Sequence, residues 1–506
     1  MKKTVVRSLI AVFALMFVMT TLVSAQGLPG SGWYTTTTIQ NIGAGETNVE
    51  LSVYPQGSGN PSTASFSVPR DGNKLFIPGA GNNIPGVVDV NPSLGANFSG
   101  SAVASAGEPI AAIGSIANNP PAGIPGLGVQ GGFASEFFRG ASTAAQTLIY
   151  PAVKHNFAGK TTLFSVQAAG SDVNYTATIR TNDGVSHTRT GTIPANRSVF
   201  LLPGDFNPPV ARTNCNEASI DTSPCFGALR VETSSGDGIA GTVVEYVEGA
   251  SPATLVQAAS LFPATEADSK VYCPAIKHTF TPAQGRSTGM TVANTNPAGG
   301  AAVNVRVTFS VALGANAGQT YNIQEQSIPA GGSFVFTQFT NTLGGMPAGN
   351  LASAVVETTD GSQSIVAVVN EQNFGTPGLA TKATTYTCFG AQSATSSIAA
   401  PLVKKNLAGS TSGPTVQNVT ESGSFAVQAA YVCNTGNQTI SSPSLGPGES
   451  YTFFNPPQIA DASNCAVTLT ATGNIVAIVQ ETSDFASGQF AAALPLNTKN
   501  YEGINK

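Results

Sequence analysis

The stretch "YPAVKHN", Tyr150 to Asn156, returns as "YCPAIKH" from Tyr272 and as "AAPLVKKN" from Ala399. Each copy alternates in character around one proline and favours β-branched or aromatic residues, which is the pattern of a strand and not of a helix. Proline has no N–H to give to a ladder, so this strand lies at a sheet edge or begins there. A chain that restates one edge strand roughly every 120 residues is a repeat of β units.

Two further landmarks follow in the same order. A Thr/Val/Gln run comes first: "WYTTTTIQNIG" at Trp33, "KTTLFSVQAAG" at Lys160, "STGMTVANTNPAG" at Ser287 and "SGPTVQNVTESG" at Ser412. A Pro/Gly turn then leads into an aromatic strand, as in "VPRDGNKLFIP" at Val68 and "IPANRSVFLLP" at Ile193. Last comes an apolar strand: "EPIAAIGSI" at Glu108, "GIAGTVVEYVE" at Gly238, "SIVAVVNEQNF" at Ser364 and "NIVAIVQETSDF" at Asn474. Short alternating runs separated by Gly, Asn, Pro and Ser, with almost no helical period, predict an all-β chain of four tandem antiparallel Ig-like β-sandwich domains. The repeats fall at 26–117, 148–248, 271–374 and 398–489, with linkers at 118–147, 249–270 and 375–397 and a strand-like segment at 490–506. The arrangement resembles the tandem β-sandwich repeats of secreted bacterial surface proteins. That resemblance implies a structural or adhesive role and brings no active-site residues with it.

The two outer repeats are unequal. The first begins directly at its Thr-rich strand, without the proline-bearing opener, whereas "AAALPLNTKNYEGINK" from Ala491 reads as an opener with no repeat behind it. A sandwich short of an edge strand exposes unpaired backbone, and a strand from another subunit is one way to cover it. The expectation is head-to-tail self-association. Phe490, Leu494, Pro495, Leu496, Asn497 and Thr498 are the donor, and the first repeat, through Trp33, Ile39, Ile110, Ile113 and Ile116, is the acceptor. The alternative is that the segment completes the fourth repeat's own sheet. Charge agrees with the first idea: the third residue after the opener proline is Lys154, Lys277 or Lys404, and the last strand of the same repeat carries Glu245, Glu371 or Glu481. Thr498 and Ile116 stand at the two matching places in the loose ends.

The remaining chemistry is sparse. Residues 1–25 place Lys2, Lys3 and Arg7 before an apolar run and a small-residue site, the form of a cleaved secretory signal. Export, to the extracellular space or the cell surface, makes the six cysteines disulfide partners, most simply Cys215 with Cys225, Cys273 with Cys388, and Cys433 with Cys465. No paired C-x-x-C spacing suggests a metal site. His155 and His278 repeat at one position, which points to structure. Neither H-E-x-x-H nor G-x-S-x-G occurs, so no enzyme activity and no cofactor are expected. With 10% charged residues and a net charge of −5, nucleic acid is not an expected partner. No stretch after the signal is long and apolar enough to span a membrane. The expected partner is the chain itself, with cell-surface or matrix glycans as the alternative.

Overall fold

The computed structural model describes residues 28, 33–79, 86–95, 98–118, 134–215, 217–248, 256–280, 285–337, 345–361, 363–373, 383–407, 410–483 and 497–505. The signal-like residues 1–25 and the donor positions Phe490, Leu494, Pro495 and Leu496 lie outside them. The chain is all-β, and its only helices among the described residues are short 3-10 turns. None is long and apolar enough to cross a membrane.

The second unit shows the pattern most plainly. Its opening strand, Thr147–Lys154, sits beside Phe226–Thr233 in a sheet that continues through Val173–Thr181 to Ser186–Ile193. The other sheet runs Ser198–Leu201, Lys160–Ala168, Ile239–Val247, Val256–Ser260. The two layers enclose Tyr150, Phe164, Val166, Ala177, Ile179 and Val243 among others. Alternation produces this core: Val173–Thr181 buries every second residue, so one face of the strand points inward. The third unit repeats the order from its opening strand Lys270–His278 to its last strand Ile365–Asn373. In the fourth, the strands that are separate elsewhere fuse into one, Ser463–Ser483, whose first half pairs with the opening strand Thr395–Lys405 and whose second half pairs with Ser410–Asn418.

The stretches 118–147, 249–270 and 375–397, expected as linkers, each carry a further strand: Ala134–Arg139, Val256–Ser260 and Ala383–Thr387. Asn497–Glu502 is the fourth of the set. Each closes its own unit by pairing antiparallel with the last apolar strand in one shared register, Ile113 opposite Arg139, Thr242 opposite Ser260, Val368 opposite Thr387 and Ile478 opposite Glu502. The physical reason is the edge. Without these neighbours the last strand of every unit would leave a row of buried N–H and C=O groups unpaired. The segment that reads as an opener is therefore a closing strand, and it completes the fourth unit's own sheet. Ile504–Asn505 then folds back onto that unit's opening strand, as Phe262–Pro263 and Phe389–Gly390 do in the second and third.

Candidate functional site

The four units pack in a cycle. Ala293, Val366 and Val368 of the third unit join the core of the second. Val419, Val476 and Ile478 of the fourth join the core of the third. Ile113 and Phe137 of the first join the core of the fourth. Leu163, Val244 and Tyr246 of the second complete the circle by packing on Trp33 and Ile116 of the first. Val366 and Val368 alternate with Ile365, Ala367 and Val369, and Val476 and Ile478 with Ile475, Ala477 and Val479, so a strand that fills one core with alternate residues sends the intervening ones into the neighbouring unit.

The closing strands meet at the middle of this cycle. Ala134–Arg139 packs against Val256–Ser260 and Asn497–Glu502, and Ala383–Thr387 packs against the same two from the other side. Glu136 is fully buried among them. Its carboxylate accepts the N–H of Asn500 at 2.8 Å, of Phe137 at 3.0 Å and of Thr385 at 3.2 Å, and so links three of the four strands. Burial pushes this carboxyl well above the usual range, and the hydrogen bonds it accepts offset only part of that rise. Around it, Gln257 donates to the Thr384 carbonyl at 2.8 Å, and Glu502 accepts both the N–H and the hydroxyl of Thr387 at 2.7 Å. Tyr501 meets Phe137 edge to face, with centroids 5.7 Å apart.

Charged triads flank the ring. Lys154 lies 2.7 Å from Glu245, with Lys160 at 3.4 Å; Lys277 lies 2.7 Å from Glu371, with Arg286 at 3.7 Å; Lys404 lies 2.9 Å from Glu481, with Lys499 at 3.6 Å. Burial works against ionised Glu245 and Glu481, but the two cations beside each outweigh it and hold both carboxyls below their ordinary range. Burial lowers Lys277 and Lys499. Lys499 also stands over the Phe137 ring at 4.8 Å.

The second cation of each triad escapes sequence reasoning because its source changes. Lys160 and Arg286 begin the Thr-rich strand of their units, two residues before the partner of the glutamate. The fourth unit has Ser410 at that place, and Lys499 reaches Glu481 from the closing strand directly opposite. The first unit uses no charge here. Trp33 takes the place of Lys160, Ile116 that of Glu245, and both are buried with Leu28.

Of the expected acceptor residues, Ile39 and Ile110 belong to the first unit's own core, Trp33 and Ile116 to its face with the second unit, and Ile113 to its face with the fourth. Asn497 and Thr498 pair at home with Ser483 and Thr482. The segments read as loose ends do meet, but within one molecule. Cys215–Cys225, Cys273–Cys388 and Cys433–Cys465 are disulfides, which suits an oxidising compartment. His155 and His278 each bond a loop carbonyl through Nδ1, at 2.8 Å to Val210 and 2.7 Å to Met346. Asn370 accepts a hydrogen bond from Thr385, on the strand face opposite Glu371, which receives Lys277.

No family model and no curated protein matches the chain. Among solved structures, N-glycanase F (PNGase F) is similar over 42% of this chain and 94% of its own, at 12% identity and a TM-score of 0.12. The CFA/I enterotoxigenic E. coli adhesin CfaE is similar over 47% of this chain and 87% of its own, at 10% identity and a TM-score of 0.09. Likenesses that faint bear on neither fold nor function.

Proposed function

We propose that the chain is a non-enzymatic extracellular structural protein, a self-clamped building block of a surface filament, sheath or matrix. The observation that carries this reading is the ring of closing strands around Glu136, in which polar groups are spent on holding units together. Buried charge follows the same logic: every Lys–Glu pair of the repeat is enclosed and spoken for by a second cation. Three disulfides and an interlocked core suit a protein that must persist outside the cell, where nothing refolds it. Donation of residues 497–502 to another copy is not part of the proposal, because that strand is already paired on the last strand of its own unit. Antibody labelling of intact cells, with electron microscopy of the shed surface material, tests the reading. The protein should be enriched in ordered surface structures, and a protein confined to the cell interior would rule the reading out.

A further inference from the structure

The cycle has four faces between units, and the same two register positions stand at each. They are the residue just before the glutamate position of the last strand and the closing-strand residue opposite it. What these positions meet differs from face to face. Val244 and Ala258 of the second unit pack with Ile116, Trp33 and Leu28 of the first, where the charged triad is replaced by apolar groups. Gln480 of the fourth unit donates through Nε2 to Glu371 Oε2 of the third at 3.4 Å, and so brings a donor from the neighbouring unit to the Lys277–Glu371–Arg286 triad. Phe137 of the first unit sets its ring beneath Lys499 of the fourth at 4.8 Å, with Lys404 at 6.0 Å, an arrangement in which the ring face attracts the cations. At the remaining face, Thr385 donates to Asn370 at 2.7 Å, so the pair satisfies itself. Val244, Gln480, Phe137 and Glu371 are all buried. A mismatched face therefore could not turn to water: Gln480 against Ile116 would bury an unpaired amide, and Val244 against Glu371 would withdraw a donor from a buried carboxylate.

We propose that these two positions determine which unit docks on which, so that the order of the cycle is set by side-chain chemistry at the faces as well as by the connectivity of the chain. An apolar pair fits an apolar neighbour, an amide fits a carboxylate, and an aromatic ring fits two lysines. Specificity comes as much from the cost of each wrong pairing as from the gain of the right one. The face between the first and fourth units, which are not consecutive in the chain, shows the matching from both sides. In the second and third units the second cation of the triad starts the Thr-rich strand, as Lys160 and Arg286, but in the fourth it is Lys499 of the closing strand, and that shift places it on Phe137. This adds a rule of assembly to the structural reading and stands or falls separately from it, since surface localisation does not depend on how the units are ordered.

Two double-mutant cycles, read by urea unfolding of the full-length protein, test the proposal. In the first, Gln480→Val, which installs the residue type of the second unit, is combined with Lys277→Leu, Glu371→Ile and Arg286→Leu, which remove the charges at its face. Gln480→Val should cost far less on that uncharged background than on the native one, a coupling of at least about tenfold in the unfolding equilibrium constant. The same change combined with Lys154→Leu, Glu245→Ile and Lys160→Leu, at another unit's triad, should couple by less than about twofold. In the second cycle, Phe137→Leu with Lys499→Met should couple by at least about threefold, whereas Phe137→Leu with Lys160→Met should not. Should the triple substitutions fail to fold, the second cycle decides alone. Additive effects at either matched face, or equal coupling at matched and unmatched ones, would mean that the faces do not distinguish their neighbours, and would overturn the proposal.

Discussion

Phe137 of the first unit and Tyr501 of the fourth are both buried, and they touch across the one face of the cycle whose two units are not consecutive in the chain. Replacing either by Ala removes a large core side chain, at a cost of about 3–5 kcal/mol. Tyr501→Ala also strands the Leu402 carbonyl and N–H, which the phenol holds at 2.7 and 3.1 Å, adding about 1–3 kcal/mol. The protein offers its own reporter, because Trp33 is its single tryptophan and lies in the cluster between the first and second units. Urea unfolding followed by Trp33 emission should therefore move to lower denaturant, by roughly 1 M or more, when Tyr501 in the far unit is changed. A double-mutant cycle with Phe137→Ala should return a coupling of about 0.5–1.5 kcal/mol for the aromatic pair. A Trp33 transition indifferent to Tyr501→Ala, with zero coupling, would refute the closure of the first unit on the fourth.

Three further outcomes follow from the buried charges and the disulfides. The Glu136 carboxyl binds its proton more tightly folded than unfolded, so its contribution is complete below the ordinary glutamate range and declines as pH rises through the raised value, by at most about 1.4 kcal/mol per pH unit. Above the ordinary glutamate range, Glu136→Gln should flatten this decline in thermal melts; Lys499 and Glu481 face the same region and keep their own opposed dependences in both proteins. Glu371→Gln leaves Lys277 and Arg286 buried beside a neutral group and should cost about 3–5 kcal/mol in denaturant titration, part of which is recovered by adding Lys277→Met. Paired Cys273→Ala and Cys388→Ala changes, which release a loop of 115 positions, should lower stability by up to about 4.7 kcal/mol on a chain-entropy basis.

Much of the strand architecture was legible because alternation and proline placement are local. The landmarks at Tyr150, Trp33, Val68 and Gly238 all lie in strands or at the turns before them. The closing strands were legible only in part: residues 490–506 read as a strand, with completion of the fourth unit's own sheet as one alternative, whereas 118–147, 249–270 and 375–397 read as linkers. "EFFR", "VQAAS", "ATTYT" and "NTKNYE" have no common composition, because each is shaped by its neighbours in the ring and not by one repeated core. That difference explains how "LPLNTKNYEGIN" could be mistaken for an opener: its proline and apolar residues imitate one, while the strands it packs against in the ring, Ala134–Arg139 and Ala383–Thr387, are distant in the chain. The pairing of lysines with glutamates could be inferred from repetition alone. Glu136 could not, since it occurs once, at the register position held by Gln257, Thr384 and Lys499 in the other units.

Small-angle X-ray scattering from the monomeric protein tests the cyclic packing most directly. A chain of 506 residues folded into one compact body has a radius of gyration of about 23 Å, and the closed cycle predicts a value near that with a single-peaked distance distribution. A far larger radius, with a distance distribution trailing off as a string of separate units, would contradict it.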